Sequence, residues 1–564
     1  MEDFSDCELL PMVLPAISQR GLFALLYPNF FILCFIFSLV CVGVRFLLPR
    51  TWDTALGALT QSRWQLSIVS VLGLLYLYIG CLILRFPGYV DPVEPMVVAA
   101  SFFSVHSKPV YDMVISYGPL CFLPYGLAMK LFGATVAVLK GVVGLANAVF
   151  ILVLFVIFKK LFRWPSSLLA TILVLSTCLM KQNYLFQARG DLFIYVAVAL
   201  SLLAAISEGG ALGCVLMIAA VTLGCGVKVT AFMYFVYPLS LFWQRHGSRL
   251  LLLVAAGSIL LSFLPFALHT LNLHDYLHWL TVMSHQPKSI REFLGNVVIT
   301  GLLLFPCLLA YWQLHRRHHS LARQFLRENW IPFSFMTGSI LAMDVLASKI
   351  GAGRHHLVPY FVFTGYIVAQ LIHKSRSGMP SSSSPGLLHV YLCGCLALLL
   401  LLTEVSELQD VRTLTRQEAA QSVALENDVN RVLASYSGHR VELGNGIGEF
   451  DLEREYSPMF SAPQLIFAGG SYTFDPSAQA DIEMVNEPMR ESDLRHVASC
   501  ESDVWLIPRG QVPFHSVSIY SGMYPDRYSG RLLFPATFER MFLDTYSLTS
   551  SSHYFDIYTC KRPR

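Results

Sequence analysis

In the stretch "GYVDPVEPMVVAASFF" (Gly88 to Phe103) two carboxylates, Asp91 and Glu94, and two prolines follow directly on an apolar run. A carboxylate in such a place can take a proton from a hydroxyl or hold a cation. If the following residues are helical, the i,i+3 spacing puts both acids on one face, with Pro95 in the first turn. Asp is also a favoured helix cap, so a purely structural cap is the alternative. A further acid, Asp191, follows Arg189 in "ARGD"; it can position a substrate or a divalent cation, or simply pair with Arg189. Lys228 opens "KVTAFMYFVYPL", where an ammonium can grip a phosphate as a point charge or snorkel to the interface. "SKIGAGRHH" gathers Lys349, Arg354, His355 and His356 around Gly351 and Gly353. Glycines let backbone N–H groups approach an anion closely, so this segment reads as a phosphate site, or else as a basic loop on lipid head groups.

The elements that must position these groups are membrane helices. The chain has 564 residues, 55% hydrophobic and 14% charged. Its mean hydropathy is +0.55. Soluble proteins carry about a quarter charged residues. Apolar windows recur at 22–48, 65–84, 134–158, 166–184, 192–207, 211–227, 229–243, 250–268, 294–313, 330–346, 357–373 and 387–404. Each approaches the length that crosses a bilayer, and the expected fold class is an all-α polytopic membrane protein of about twelve spans. The segment 117–132, "YGPLCFLPYGLAMKLF", is expected as a half-inserted helix, since a crossing there breaks the charge alternation. A net charge of +3 gives no reason to invoke nucleic acid. The acidic start "MEDFSDCE" lacks the basic region of a signal peptide, so no cleaved leader is expected.

Alternate loops are basic: Arg45, Arg50 and Arg63; Lys159, Lys160 and Arg163; Arg245 and Arg249; "HRRHHSLARQFLR"; Lys374 and Arg376. The positive-inside rule puts that set in the cytoplasm. Asp91, Glu94, Asp191, Lys228, the 269–293 loop, "SKIGAGRHH" and the tail after residue 404 then face outside. The 269–293 loop is amphipathic and is expected to lie on the membrane over the site. His274 and His278 lack the glutamate of a zinc-protease motif. The absence of any Asn-x-Ser/Thr sequon favours a bacterial plasma membrane, with the site toward the periplasm.

The domain reading is an acidic segment 1–21, an extra span and basic loop 22–64, a membrane core 65–374 with its acidic loop at 85–133, a Ser/Pro-rich linker and last span 375–404, and an external α/β domain 405–564. In the tail "RVEL", "QLIF", "DVWLIP" and "YFDIYTC" read as strands, and "PSAQADIEMV" and "RESDLRHVA" as helices. "GNGIGEF" reads as a tight turn rather than a nucleotide loop. Cys500 and Cys560, alone in the tail, leave a disulfide as an open alternative.

The order of motifs resembles the GT-C membrane glycosyltransferases, among them protein O-mannosyltransferases and lipid A aminoarabinose transferases. The residues are Asp91-x-x-Glu94, "KPVYD" with Tyr111 and Asp112, "YGPLCFLPYGLAMKLFG", "ARGD" and Lys228; "SKIGAGRHHLVPYF" looks most like uncharacterised bacterial members. The similarity covers about residues 65–375 and departs from the family where two residues separate the acids. It implies an outer-face transferase taking sugar from a polyprenyl-phosphate donor among membrane lipids. Asp91 is then the first choice of general base, Glu94 the alternate, and Asp191 an acceptor-positioning acid. Arg189, Lys228, Lys349, Arg354, His355, His356, Tyr111 and Asp112 would bind substrate. A divalent cation would draw on Asp91, Glu94, Asp191 or His356. A transporter or flippase of polyprenyl-linked glycans, or a non-catalytic envelope assembly protein, are the competing readings.

Overall fold

The computed structural model describes residues 62–91, 93–106, 108–179, 184–377, 391–446, 458–517 and 530–561. The span expected at 22–48 lies outside them. The chain forms a helical bundle followed by a small mixed α/β tail, the fold class read from the sequence. Six of the described helical stretches are long and apolar enough to cross a membrane: Arg63–Arg85, Val136–Lys159, Gly210–Val227, Val229–Ala267, Ile290–Arg317 and Tyr391–Ser435. Helix lengths alone do not establish the count of twelve.

The bundle helices are α1 (Ser62–Arg85), α2 (Val93–Val105), α3 (Leu123–Phe132), α4 (Val136–Lys159), α5 (Trp164–Leu179), α6 (Asp191–Ala205), α7 (Gly210–Val227), α8 (Phe232–Phe263), α9 (Leu273–Ser284), α10 (Ile290–Arg317), α11 (His319–Leu346), α12 (Phe361–Ser377) and α13 (Ala397–Ser435). Helix α8 is broken at Gly247, whose φ of +80° lies in the left-handed region where only glycine is unstrained. The break falls between the apolar windows expected at 229–243 and 250–268. Helix α6 is apolar along its length and almost wholly buried between α4, α7 and α8. An all-round apolar helix of this kind is the centre of a bundle. Helix α3 has ten residues, about 15 Å, too short to cross a bilayer core of ~30 Å.

The basic segment at 315–327 is helical rather than a loop. Helices α10 and α11 meet at His318, and Lys374 at the end of α12 bonds Glu328 Oε2 at 2.8 Å. Helix α13 runs for 39 residues from the greasy "ALLLLL" into the polar "TRQEAAQS", because no Gly or Pro interrupts it before Gly438, where φ is +84°. The expected boundary at 405 thus falls inside one continuous helix.

The tail holds strands β1 (Val441–Leu443), β2 (Val504–Pro508), β3 (Tyr546–Ser551) and β4 (Phe555–Cys560) in the order β1-β2-β4-β3. β1 and β2 are parallel and the other pairs antiparallel. Helices α14 (Ala462–Phe467), α15 (Pro476–Val485), α16 (Glu491–Ala498) and α17 (Ala536–Thr545) complete it. Three of the four expected strands are present, as are both expected helices. "QLIF" is instead α14: Pro463 sits in its first turn, and Phe467 packs on Phe102 of α2 at 5.4 Å. In the described part of "GNGIGEF", Gly444 N–H donates to the Leu506 carbonyl, so this backbone continues the β1–β2 pairing. Cys500 and Cys560 form a disulfide.

The tail rests on the bundle loops at several points. Lys108 Nζ donates to the Gly470 carbonyl at 3.2 Å, Gln286 Nε2 to Asp481 at 2.9 Å, and Arg490 to the Asp112 carbonyl at 2.6 Å. Ile350 is buried in the tail's own aromatic core beside Phe474 and Trp505. The 269–293 segment is held in this junction: Trp279 of α9 is buried and donates to the Tyr111 carbonyl, with the Arg490 guanidinium over its ring.

Candidate active site

Asp91 and Glu94 begin α2 and diverge sharply in environment. Asp91 Oδ1 accepts from Val93 N–H at 2.9 Å, a capping bond, while Oδ2 meets Arg189 Nη1 at 2.9 Å. Glu94 turns inward. Its Oε2 accepts from Val90 N–H at 2.6 Å and Asp91 N–H at 3.1 Å, and its Oε1 from Ala188 N–H at 2.6 Å. Three backbone donors fill this buried carboxylate and tie the 88–91 turn to the 188–191 turn. Behind it, Lys140 Nζ donates to the Ile83 and Phe86 carbonyls at 2.8 and 2.6 Å. That lysine closes the end of α1 and braces the same turn.

From Asp91 the charges run in a chain. Arg189 Nε bonds Asp191 Oδ2 at 3.1 Å, and Lys228 Nζ bonds Asp191 Oδ1 at 3.0 Å. All four side chains are at most 16% exposed. Two carboxylates and two cations neutralise one another, as buried charges must. Burial opposes the charge on Asp191, just ahead of the apolar run of α6, but Lys228 and Arg189 outweigh it and hold this carboxyl well below the usual range. Burial likewise opposes protonation of Lys228, yet Asp191 beside it raises its pKa overall.

Close backbone contact brings Tyr117 to this chain. Gly118 N–H donates to the Val227 carbonyl at 2.8 Å, and a Cβ on Gly118 would lie 2.3 Å from the Gly226 carbonyl oxygen. Only glycine allows that approach, which sets the Lys228 ammonium 5.0 Å from the Tyr117 ring centroid. Tyr117 is signalled in the sequence by "YGPL", and Lys140 by being a charge inside an apolar run; nothing in the sequence singles out Tyr234.

The glycine-rich segment does not converge as one anion site. Gly351 and Gly353 both take positive φ, and 354–360 is a tight helical turn that sends consecutive side chains apart. Lys349 donates to the Met283 carbonyl at 3.2 Å, and Arg354 faces Glu292 at 3.8 Å. His355 and His356 instead lie together, their ring centroids 4.3 Å apart, within electrostatic reach of Asp191 and Lys228. Tyr234 Oη secures the His356 carbonyl at 2.7 Å. Burial and the nearby Lys228 and Arg189 cations push His356 down to about 3, and burial with its neighbour His356 lowers His355 strongly. Both rings are therefore neutral hydrogen-bonding groups rather than cations. Tyr111 reaches the cluster only through its Oη, which donates to the Tyr117 carbonyl at 3.3 Å, and the Asp112 side chain has no bond to it among the described residues. Tyr111 is buried against Tyr276 and Phe122, and exposed Asp112 meets the tail's Arg490.

Arg354 also lines an apolar cavity of about 320 Å³, walled by Phe158, Leu173, Ile299, Phe305, Phe361 and Leu396 among others. Residues 354–356 thus join a greasy cavity to the charged chain. Among the described residues no three His, Cys, Asp or Glu side chains are grouped to hold a metal. Asp191 already spends one oxygen on each cation, and Glu94 spends both on backbone, so the expected donor set does not fit a divalent ion without displacing Arg189 or Lys228.

No protein-family model matches the chain, and no curated protein matches it. Among solved structures, ArnT from Cupriavidus metallidurans bound to undecaprenyl phosphate aligns with a TM-score of 0.52 at 10% identity, over 88% of this chain and 98% of that one. The same protein in the apo state gives 0.49 at 11% identity, over 87% and 97%. The Archaeoglobus fulgidus oligosaccharyltransferase in complex with Zn and sulfate gives 0.39 at 12%, over 86% and 73%. The first likeness shows the fold alone: this chain shares the overall fold of that ArnT structure over most of its length.

Proposed function

We propose that the protein is a membrane glycosyltransferase that moves a sugar from a polyprenyl-phosphate donor to a hydroxyl of a lipid, glycan or protein acceptor. The observation that carries this reading is the junction at 354–356. An apolar cavity meets an arginine there, and the next two residues lie within electrostatic reach of a buried chain of acids and cations. The solved structure of the same fold is bound to undecaprenyl phosphate, which supports a ligand of that class. The cavity would take part of the polyprenyl tail, with Arg354 and Lys228 neutralising the phosphate.

Asp91 is the base in this reading. The acceptor O–H gives its proton to the Asp91 carboxylate as the acceptor oxygen bonds the anomeric carbon. The bond from that carbon to the phosphate oxygen breaks, and its electron pair leaves on the phosphate. A single displacement inverts the anomeric centre. Glu94 becomes a positioning residue, because its oxygens are already filled. Asp191 holds Arg189 and Lys228 in register. The cluster and tail would face the exterior of a bacterial plasma membrane, as the loop charges indicate.

The test is release of polyprenyl phosphate from a polyprenyl-phosphate sugar by the purified full chain. Asp91→Asn should lose at least about 100-fold in turnover while still binding donor. Unchanged turnover removes the acid from the mechanism. Movement of donor across vesicles with no release of polyprenyl phosphate would favour a flippase instead.

A further inference from the structure

A polar cluster unused by the chemistry above lies one layer behind the histidines. Asp344 of α11 is fully buried, and both carboxylate oxygens accept from a single hydroxyl, Thr300 Oγ1 of α10, at 2.9 and 3.1 Å. No Lys, Arg or His pairs with it among the described residues. One helical turn before Thr300, Asn296 Nδ2 donates to the Asp344 carbonyl at 3.1 Å, while its Oδ1 has no partner although the residue is fully buried. Tyr360, also fully buried, has its Oη within electrostatic reach of Asp344 and beside the Ser339 hydroxyl. Buried polar atoms without partners cost about 1–3 kcal/mol each, and an uncompensated carboxylate costs more.

We propose that Asp344, Thr300, Asn296 and Tyr360 form a binding site for one monovalent cation of sodium's size. The donors are hard oxygens from three elements: two carboxylate oxygens, an amide oxygen and two hydroxyls. Hard oxygen sets of this kind suit alkali and alkaline-earth cations rather than zinc or copper. A single positive charge balances the single carboxylate, whereas a divalent ion would leave net charge in an apolar interior. A proton on Asp344 could bond one acceptor and would leave the remaining oxygens as they are. The ion would clamp α10 and α11 to the 354–360 turn. The ring of Tyr360 packs edge-on to Tyr234, 5.1 Å between centroids, and Tyr234 holds the His356 carbonyl. The site would thus stiffen the segment that presents His355 and His356, and it stands whether or not the transfer reaction is correctly assigned.

The test uses the purified full chain in detergent, with radioactive sodium binding read by scintillation proximity and choline chloride keeping ionic strength constant. Saturable binding of about one ion per chain is expected, together with a higher Tm in sodium than in choline. Thr300→Val should weaken binding about tenfold, Asp344→Asn should abolish it, and Asp191→Asn should leave it intact. A wild-type Tm equal in both salts, with no saturable sodium binding, overturns the proposal. So does binding unchanged in Thr300→Val and Asp344→Asn, binding lost in Asp191→Asn, or a Tm that follows pH alone.

Discussion

Glu442 of the tail and Asp191 of the bundle are both more than nine-tenths buried, and both touch a basic side chain. Their partners differ in kind. Glu442 Oε1 accepts from Thr473 N–H at 2.9 Å, while Oε2 accepts from Ser502 Oγ at 2.5 Å and His496 Nε2 at 2.6 Å. These donors are fixed by the segment before α15, by α16 and by the turn before β2, inside an aromatic core. Among the described residues Asp191 is bonded by the tips of two long side chains, Arg189 and Lys228. A carboxylate saturated by short, fixed donors is a fastener. One held by movable cations can release them to an incoming anion. Glu94 and Asp91 repeat the contrast three residues apart: backbone fills the first, and a guanidinium holds the second.

Exchanging partners in the two regions should separate activity from stability. Lys228→Ala should lower kcat by about 100- to 1,000-fold, the loss expected for a preorganised cation opposite developing phosphate charge. Glu442→Gln should leave kcat within about threefold in the same transfer assay, yet destabilise the tail by roughly 3 kcal/mol, as breaking a buried pair does. A large kcat loss in Glu442→Gln with an unchanged Tm would abolish the distinction.

The pH dependence of the tail sharpens it. Burial opposes charge on His496, but Glu442 and Glu501 raise it to about 9. Burial similarly opposes ionisation of Glu442, and His496 and Ser502 lower it overall. For His496 the folded value exceeds the unfolded one, so its contribution is complete below the ordinary histidine value and fades as pH rises through about 9. For Glu442 it is present above the ordinary glutamate value and fades as pH falls through the folded one. Thermal unfolding across pH 7 to 10 should show a falling tail Tm, and His496→Gln should flatten that slope. The smallest effect is expected of Asp112→Ala. Its hydrogen bond to Arg490 comes from the backbone carbonyl, which the substitution keeps, so turnover in the transfer assay should stay within about twofold and Tm should barely move.

Much of the bundle was legible because helix signals are local. The cap at Asp91 and the gap between the windows 229–243 and 250–268, where Gly247 breaks α8, follow from neighbouring residues, whereas the boundary expected at 405 falls inside the unbroken α13. "QLIF" misled because four apolar residues do not distinguish a strand from a short helix packed on α2. The glycine-rich segment misled for another reason. Composition gathers Lys349, Arg354, His355 and His356, but a tight turn distributes them to the Met283 carbonyl, the cavity and the Asp191 pair.

The amino-acid order by itself determined a greasy helical chain with a folded tail and a sparse set of ionisable groups at helix ends, because apolar length and capping chemistry act over a few residues. Which acid stays open to a substrate was decided only by tertiary contacts. Ala188 lies 94 residues from Glu94 and fills its oxygen, while Arg189, next in the chain, takes up Asp91. Sequence spacing ranks those two carboxylates alike, and long-range packing supplies donors to one and a displaceable cation to the other.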